Sequence, residues 1–84
     1  MTRIVSIEAV DDTSLVYTLD SGESRWFDIT PYLDFEAFRV LKDPLEFRRL
    51  ENGGYFVEWR SGADLSLDTL NAHSRPKPSG TRTF

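Results

Sequence analysis

The fold of this chain is decided largely by one stretch, Val57-Glu58-Trp59-Arg60-Ser61-Gly62-Ala63-Asp64-Leu65-Ser66-Leu67-Asp68-Thr69-Leu70. It predicts a strand that ends at Trp59, a tight turn at Gly62 and a short helix capped by Ser66. Asp64, which follows the turn, is expected to accept backbone N–H bonds in the loop and to orient the helix. The stretch therefore indicates a folding signature, and it contains no motif that specifies a reaction or a ligand.

Three strands are predicted before this stretch, and short turns join them into an antiparallel meander. They span residues 3–10, 15–19 and 24–29, with turns at 11–14 and 20–23. Period-two alternation places Val5, Ile7 and Ala9 on one side of the first strand, and Leu15, Tyr17 and Leu19 on the inner face of the second. Gly22 supplies the positive φ that the second turn needs.

Two short helices are predicted between the third and fourth strands. Thr30 caps the first helix, and Pro31 suits its first position. Asp43 and Pro44 have the same two roles in the second helix, where Glu46 is placed to reach back to the Asp43 N–H group. The apolar side of this second helix consists of Phe47 and Leu50.

The predicted fold is a single α+β domain over residues 1–73. A three- to four-stranded antiparallel sheet carries short helices packed on one face, in the order β-β-β-α-α-β-α. The fourth strand, residues 55–60, is expected to pair at the edge of the meander, after Asn52-Gly53-Gly54 ends the second helix. The composition of residues 74–84, which is rich in Ser, Pro, Arg and Lys, predicts a disordered basic tail.

Composition excludes several classes of protein. The chain has 84 residues and no cysteine, which rules out disulfides, thiolate zinc sites and cysteine nucleophiles. A small secreted domain without disulfides is unusual, and the first eight residues lack the apolar run of a signal peptide. No segment approaches the ~20 apolar residues of a membrane span. We therefore expect an unprocessed cytoplasmic protein.

The charge is distributed unevenly. Residues 1–71 hold 7 basic and 14 acidic side chains, a net charge of −7, so the body is expected to repel phosphate backbones and anionic membrane surfaces. Arg75, Lys77 and Arg82 lie after His73, where there are no acidic residues. This tail is a candidate contact for a polyanion or an acidic partner.

Candidate chemical groups are few. Asp28, Asp64 and Asp68 carry the oxygen ligands that Mg²⁺ and Ca²⁺ prefer, but their spacing fits no known metal loop. His73, the only histidine, lies at the edge of the predicted tail, which is a poor place for pre-organised chemistry. We predict no catalytic residue, cofactor or metal site. The least favoured alternative is a small metal-dependent hydrolase, and it requires Asp28, Asp64 and His73 to share one pocket.

Aromatic residues suggest a contact surface. Strand alternation cannot place both Trp26 and Phe27, or both Tyr55 and Phe56, on one face of a sheet. One ring of each pair is therefore expected to point away from the helices, as a half-buried ring or as part of an interface. The candidate interaction surface consists of Trp26, Tyr55, Phe56, Arg25 and Arg60.

From about Arg3 to Leu70 the chain resembles a small bacterial family known as domain of unknown function 2442. The residues that carry the resemblance are Leu19-Asp20-Ser21-Gly22-Glu23, Phe27-Asp28-Ile29 with Leu33, Leu41-Lys42-Asp43-Pro44 with Phe47, and Trp59-Arg60-Ser61-Gly62-Ala63-Asp64-Leu65 with Thr69-Leu70. The resemblance implies an α+β domain with this strand order and carries over no catalytic residue.

Within the family this chain resembles, some members carry a C-terminal helix-turn-helix, and some are encoded beside another small protein in an arrangement like toxin–antitoxin pairs. The thirteen residues after Asn71 cannot make a helix-turn-helix, so the resemblance implies no DNA-binding role here. The favoured interpretation is a non-enzymatic protein–protein interaction or regulatory module, a monomer or weak homodimer with a protein partner, acting through a sheet edge or an aromatic patch. The alternative is a nucleic-acid-associated regulator that uses the tail with Arg25 and Arg60.

Overall fold

The computed structural model describes residues 2–76. Two antiparallel sheets and short helices make up the fold, which confirms the α+β class. The strands are β1 Ile4–Ala9, β2 Ser14–Leu19, β3 Ser24–Asp28, β4 Leu50–Asn52, β5 Phe56–Trp59, β6 Asp64–Ser66 and β7 Arg75–Pro76. The helices are a first 3₁₀ helix Thr30–Tyr32, a second 3₁₀ helix Glu36–Lys42, α1 Pro44–Phe47 and α2 Leu67–His73.

The first sheet contains the predicted meander, in the order β1-β2-β3-β7. Leu15, Tyr17 and Leu19 of β2 are all buried, so the predicted inner face of that strand is confirmed. The alternation predicted for β1 fails at Val5, which is 48% exposed. The register shifts between Ile4 and Ser6, and this bulge adds one residue that turns Val5 outward.

The second sheet was not expected from the sequence. β5 does not pair at the edge of the meander; it lies between β4 and β6 in the order β4-β5-β6. Leu50 begins β4 and is not part of the second helix, because α1 ends at Phe47. Asn52-Gly53-Gly54 accordingly forms the turn of a hairpin, with Gly54 at φ +87°.

A backbone clasp joins the two sheets. The Ile4 N–H group donates to Gly54 O at 2.7 Å, and Asn52 Nδ2 donates to Ile4 O at 3.0 Å. Asn52 Oδ1 also accepts from the Gly54 N–H group at 2.8 Å, which holds the turn in shape. One side chain therefore fixes the hairpin and attaches it to the edge strand of the other sheet.

The predicted helix caps have mixed outcomes. Asp43 caps α1, accepting from the Leu45 N–H group at 2.9 Å, and Ser66 caps α2, accepting from the Thr69 N–H group at 3.2 Å. Glu46 does not close a capping box, because the Asp43 N–H group donates to Val40 O instead. Thr30 is not a cap either: Asp28 Oδ1, two residues earlier, accepts from its N–H group at 2.9 Å.

One hydrophobic core serves both sheets. Trp59 is almost completely buried, packs against Phe47 in a stacked arrangement and meets Phe38 edge to face. Its Nε1 donates to Phe47 O at 2.8 Å, which satisfies the only polar group of the ring. The buried apolar residues are Ile4, Leu15, Tyr17, Leu19, Phe27, Ile29, Leu41, Phe47, Val57, Trp59, Ala63, Leu65, Leu67 and Leu70.

The ordered body extends beyond the domain end expected at residue 73. Arg75 and Pro76 form β7, which pairs with Trp26 and Arg25 of β3. Ser74, assigned to the tail by the sequence, contacts Tyr17 and Arg25. The rest of the predicted tail, residues 77–84, lies outside the described residues. Within the described residues, no helix has the length and apolar character needed to cross a membrane.

Candidate functional site

The signature around Gly62 forms a hairpin between β5 and β6. The Trp59 N–H group donates to Ala63 O, and the Gly62 N–H group donates to Trp59 O, both at 2.8 Å. Gly62 has φ +100°, a value that L side chains rarely adopt, so glycine is needed for this turn. Strand β6 therefore follows the turn directly, and the predicted helix capped by Ser66 begins after it, at Leu67.

Asp64 does not have the loop role expected of it. It begins β6 opposite Glu58, is exposed, and among the described residues its carboxylate has no hydrogen-bond partner. The Ser61 hydroxyl takes the expected position instead, accepting from the Ala63 N–H group at 3.5 Å. Leu65, its neighbour in the signature, is buried.

The three candidate metal ligands do not form one cluster. Asp28 accepts from the Thr30 backbone, Asp64 lies on β6, and Asp68 lies in the first turn of α2. Across residues 2–76 no group of three or more acidic or histidine side chains could hold one metal ion. Asp28 and His73 do line the same cleft, whereas Asp64 does not, so the hydrolase hypothesis lacks the three-residue pocket it requires.

This cleft, which we call the Tyr32 cleft, has a volume of about 370 Å³ and is lined by Asp28, Pro31, Tyr32, Phe35 and His73. The ring of Tyr32 stands at 86° to that of Phe35 and at 76° to that of His73, with centroids 6.0 and 6.4 Å away. Perpendicular rings beside a carboxylate therefore form the walls. Phe35 leaves 59% of its surface exposed there.

Consecutive 3₁₀ turns build the aromatic wall of this cleft. The Phe35 N–H group donates to Tyr32 O at 3.0 Å, and the Phe38 N–H group donates to Phe35 O at 2.9 Å. Phe35 is extended, with φ −78° and ψ 138°, and separates the two 3₁₀ helices; the rings of Phe35 and Phe38 both meet the Tyr32 ring edge to face. Phe27 and Phe38 anchor Tyr32 from the core, with centroids at 5.5 and 5.7 Å.

The hydrolase alternative expected Asp28 and His73 in one pocket with Asp64, but no expectation from the sequence joined these residues to Tyr32 or Phe35. The closeness of Tyr32 and Phe35 in the sequence, directly after Pro31, was an available signal for two neighbouring rings. The approach of His73 to Tyr32 was not, because α2 reaches the first sheet only through tertiary packing.

Tyr55 and Phe56 form what we call the aromatic corner. One ring of this pair was expected to point away from the helices, but both are exposed, at 50% and 42%, and Val57 is the first buried residue of β5. The ring of Phe56 lies over Gly53, in the space that a Cβ atom there would need. Tyr55 O accepts from the Leu67 N–H group at 2.8 Å, so the backbone at this corner is tied to α2.

The corner borders a second cleft of about 360 Å³. Its walls are the polar start of α2 and the end of the chain before β1, and the lining residues are Thr2, Tyr55, Ser66, Leu67, Asp68 and Asn71. Tyr55 therefore combines an exposed ring with an adjacent recess that is bordered by several polar residues. This combination resembles the centre and rim of a protein interface.

The remaining candidate surface residues have different environments. Phe27 is buried and Trp26 is half-buried, as expected for that pair, and the Arg75 guanidinium lies 4.1 Å from the centroid of a Trp26 ring. Arg25 is only 18% exposed and donates from Nη1 to Glu23 at 2.7 Å and from Nε to Ser74 at 2.6 Å. Arg60 is exposed at the turn after β5.

These contacts bear on the nucleic-acid alternative. Each guanidinium nitrogen of Arg25 already donates to Glu23 or Ser74, and Glu23 neutralises its charge. Arg25 is therefore poorly placed to contact phosphate. The alternative would depend on Arg60, Arg3 and the tail, most of which lies outside the described residues.

A buried phenol organises the inner end of α2. The Tyr17 hydroxyl lies 2.8 Å from Asn71 Oδ1 and 2.9 Å from Ser74 Oγ. Burial raises the pKa of Tyr17, and the hydrogen bond with Ser74 and the charge of Arg25 oppose that effect. The sequence offered no signal for this network, because its members are 54 and 57 residues apart from Tyr17.

Comparisons with known proteins identify a family for this chain but no activity. A family model described as "Protein of unknown function (DUF2442)" matches residues 4–76. Neither the comparison with curated proteins nor the comparison with solved structures gave a match. The matched range includes both sheets, the Tyr32 cleft, the aromatic corner and β7. The chain therefore belongs to the DUF2442 family, as the resemblance indicated.

Proposed function

We propose that this protein is a non-enzymatic protein–protein interaction module whose contact surface is centred on the aromatic corner. The observation that carries the proposal is the exposure of two adjacent rings, Tyr55 and Phe56, at 50% and 42%. Strand alternation alone would bury one of them. Their outward position leaves both large aromatic side chains exposed, which a contact surface would explain.

The corner has the properties of an anchor for a partner. Its backbone is fixed by the Leu67–Tyr55 hydrogen bond, so the main chain that carries the rings would lose little conformational freedom on binding. Tyrosine is enriched among the residues that dominate binding energy, and contacts of this kind lie beside polar rims. The polar residues Thr2, Ser66 and Asp68, which border the recess next to Tyr55, supply such a rim.

The biological setting is proposed on weaker grounds. Family relatives encoded beside a second small protein support a regulatory role as one half of a two-protein system, which is an argument from analogy. The lack of cysteine supports a cytoplasmic location. The two-protein system predicts a protein partner that the same cell produces.

The test is affinity co-purification from the native host with three forms of the full chain. The wild type should retain a partner at stoichiometric levels, and the double variant Tyr55→Ser/Phe56→Ser should lose at least about 90% of it, since each anchor contributes about 1–2 kcal/mol or more. Leu45→Ser is the matched control, because Leu45 is 67% exposed and lies on α1 outside the corner.

Circular dichroism spectra must show that all three forms are folded. Retention of the partner by the double variant, or equal loss with Leu45→Ser, would refute the role of the corner. Recovery of the wild type as a lone monomer from several growth conditions would refute the interaction proposal itself.

A further inference from the structure

We propose that the Tyr32 cleft is a recognition site for an arginine side chain presented by a partner protein. The proposal concerns a surface distinct from the aromatic corner and does not depend on it. Four features support it: the ring geometry, the position of Asp28, the charge of the body, and a guanidinium–ring contact elsewhere in the chain.

The rings supply the first argument. Tyr32, Phe35 and His73 line the cleft with ring planes close to perpendicular, at 86° and 76° to the Tyr32 ring. Aromatic side chains arranged around a small cleft attract cations through the negative faces of their π systems. Tyr32 is held in place by Phe27 and Phe38, so its wall of the cleft exists before any ligand arrives.

Asp28 supplies the second argument. Its Oδ1 accepts from the Thr30 N–H group, which fixes the carboxylate at the rim of the rings. None of the salt bridges formed within residues 2–76 uses this carboxylate. A cation that enters the cleft would therefore meet a carboxylate whose charge no side chain of the described body neutralises.

Charge favours a basic partner over a neutral one. Residues 2–76 carry 14 acidic and 8 basic side chains, so the body as a whole attracts cations. A volume of about 370 Å³ lies at the small end of the range for ligand pockets, which suits one side chain better than a folded element.

Arginine fits this cleft better than lysine. A guanidinium group stacks on a ring with its face and binds a carboxylate with its edge, whereas an ammonium is compact and strongly hydrated. The chain already uses the first of these contacts, since Arg75 lies 4.1 Å from the centroid of a Trp26 ring. The Tyr32 cleft offers rings and a carboxylate together.

The test is an NMR titration of the ¹⁵N-labelled full chain with N-acetyl-argininamide at 150 mM salt. We expect saturable shifts centred on the backbone amides of Asp28, Tyr32, Phe35 and His73. The amide of N-acetyl-citrulline, which has the same shape without the charge, should bind at least about fivefold more weakly. The corresponding lysine amide should bind with an intermediate affinity.

Variants separate the charge from the rings. Asp28→Asn removes the charge but keeps a side-chain oxygen for the Thr30 N–H group, and it should weaken arginine binding about fivefold without affecting citrulline. Phe35→Leu should weaken it about threefold, because it removes one ring and keeps apolar volume. Asp64→Asn is the matched control: it makes the same change of net charge at an exposed carboxylate outside the cleft, and it should leave binding unchanged.

Equal binding of citrulline, tighter binding of lysine, shifts centred away from the cleft, or equal weakening by Asp64→Asn would each overturn the proposal. The titration requires no partner protein, so its failure would leave the co-purification result for the aromatic corner standing. A loss of partner by the Tyr55/Phe56 variant would equally say nothing about the cleft.

Discussion

The two sheets are built to the same plan but differ in how they are held. Each is a three-stranded meander followed by a helix: β1-β2-β3 with the first 3₁₀ helix, and β4-β5-β6 with α2. Each has a Ser-Gly turn between its second and third strands, at residues 21–22 and 61–62. The first meander has strands of five or six residues, and the second has strands of three or four.

The two turns match bond for bond. In the first, the Leu19 N–H group donates to Glu23 O at 2.8 Å and the Gly22 N–H group to Leu19 O at 2.9 Å, as Trp59 and Gly62 do in the second. The glycines have φ +92° and +100°. The Ser21 hydroxyl accepts from the Glu23 N–H group at 3.3 Å, as Ser61 does from Ala63 at 3.5 Å.

The difference therefore lies in the strands and not in the turns. Strands of three residues pair through few hydrogen bonds, and a small sheet of this kind needs packing against other elements to be stable. The second meander obtains that support from Trp59, which reaches α1, and from the clasp of Asn52 and Gly54 on Ile4. The same type of turn therefore occurs in a sheet with long, extensively hydrogen-bonded strands and in a sheet whose short strands depend on contacts with other elements.

The largest effect should come from removing the main anchor. Trp59→Ala should lower the free energy of unfolding by about 3–5 kcal/mol, since it creates a large cavity and leaves Phe47 O without its donor. Leu19→Ala, at the equivalent turn position of the first meander, should cost about 2–4 kcal/mol. Urea denaturation followed by circular dichroism measures both, and a smaller loss at Trp59 than at Leu19 would contradict the anchor model.

Substitution of the turn glycine should lower the stability of the protein by the same amount in both turns. Gly22→Ala and Gly62→Ala should each cost about 1–2 kcal/mol through the left-handed backbone alone, because a Cβ atom at either site meets no other atom within 4 Å. Asparagine at either position should cost less, since it tolerates this conformation better. Thermal unfolding of the four variants is the measurement, and a difference above about 1 kcal/mol between the two alanine variants would show that the turns are not equivalent.

The clasp should affect the second meander more than the first. Asn52→Ala removes the donor to Ile4 O and the acceptor for the Gly54 N–H group, and it should cost about 1–2 kcal/mol. Hydrogen exchange should quicken at Gly54 and Val57 while the β2 amides of Tyr17 and Leu19 stay protected. Uniform loss of protection in both sheets would mean that they unfold as one unit.

The smallest effect should appear at alkaline pH. Because the pKa of Tyr17 is raised in the folded protein, the folded state holds this proton more tightly than the unfolded state. Its contribution to stability is therefore fully present below pH 10 and is lost as the pH rises through the folded pKa. Stability should fall above pH 10 more steeply in the wild type than in Tyr17→Phe, which should itself cost about 1 kcal/mol at pH 7. Parallel pH profiles would contradict this account.

Several features of this fold that depend on neighbouring residues were predicted correctly from the sequence. The alternation of β2, the caps at Asp43 and Ser66, and the glycines at Gly22 and Gly62 all act through neighbouring residues, and the structure has each of them. The three-residue strands β4 and β6 could not be predicted in this way, because three residues contain too little of a period-two pattern to distinguish from a loop.

The candidate sites depend on long-range packing, so they were harder to predict from the sequence than the strands and turns. Asp28 and His73 come together only because α2 returns to the first sheet. The outward position of Tyr55 and Phe56 depends on where β5 begins, and strand ends are the least certain part of a sequence-based assignment. Burial of Val57 and Trp59 places Phe56 on the outer face of β5, whereas Tyr55 lies before the strand begins and is exposed there.

The short segment Ser74–Pro76 makes three sets of contacts with the first sheet, and these predict where the chain can be shortened. A polypeptide cut after His73 would uncover the ring of Trp26, leave Arg25 with Glu23 as its remaining described partner, and take one neighbour from the buried hydroxyl of Tyr17. A polypeptide cut after Pro76 would keep all three contacts. Removal of residues 74–76 would therefore uncover the edge of the first sheet. These residues come last in the described chain and include its shortest strand, β7.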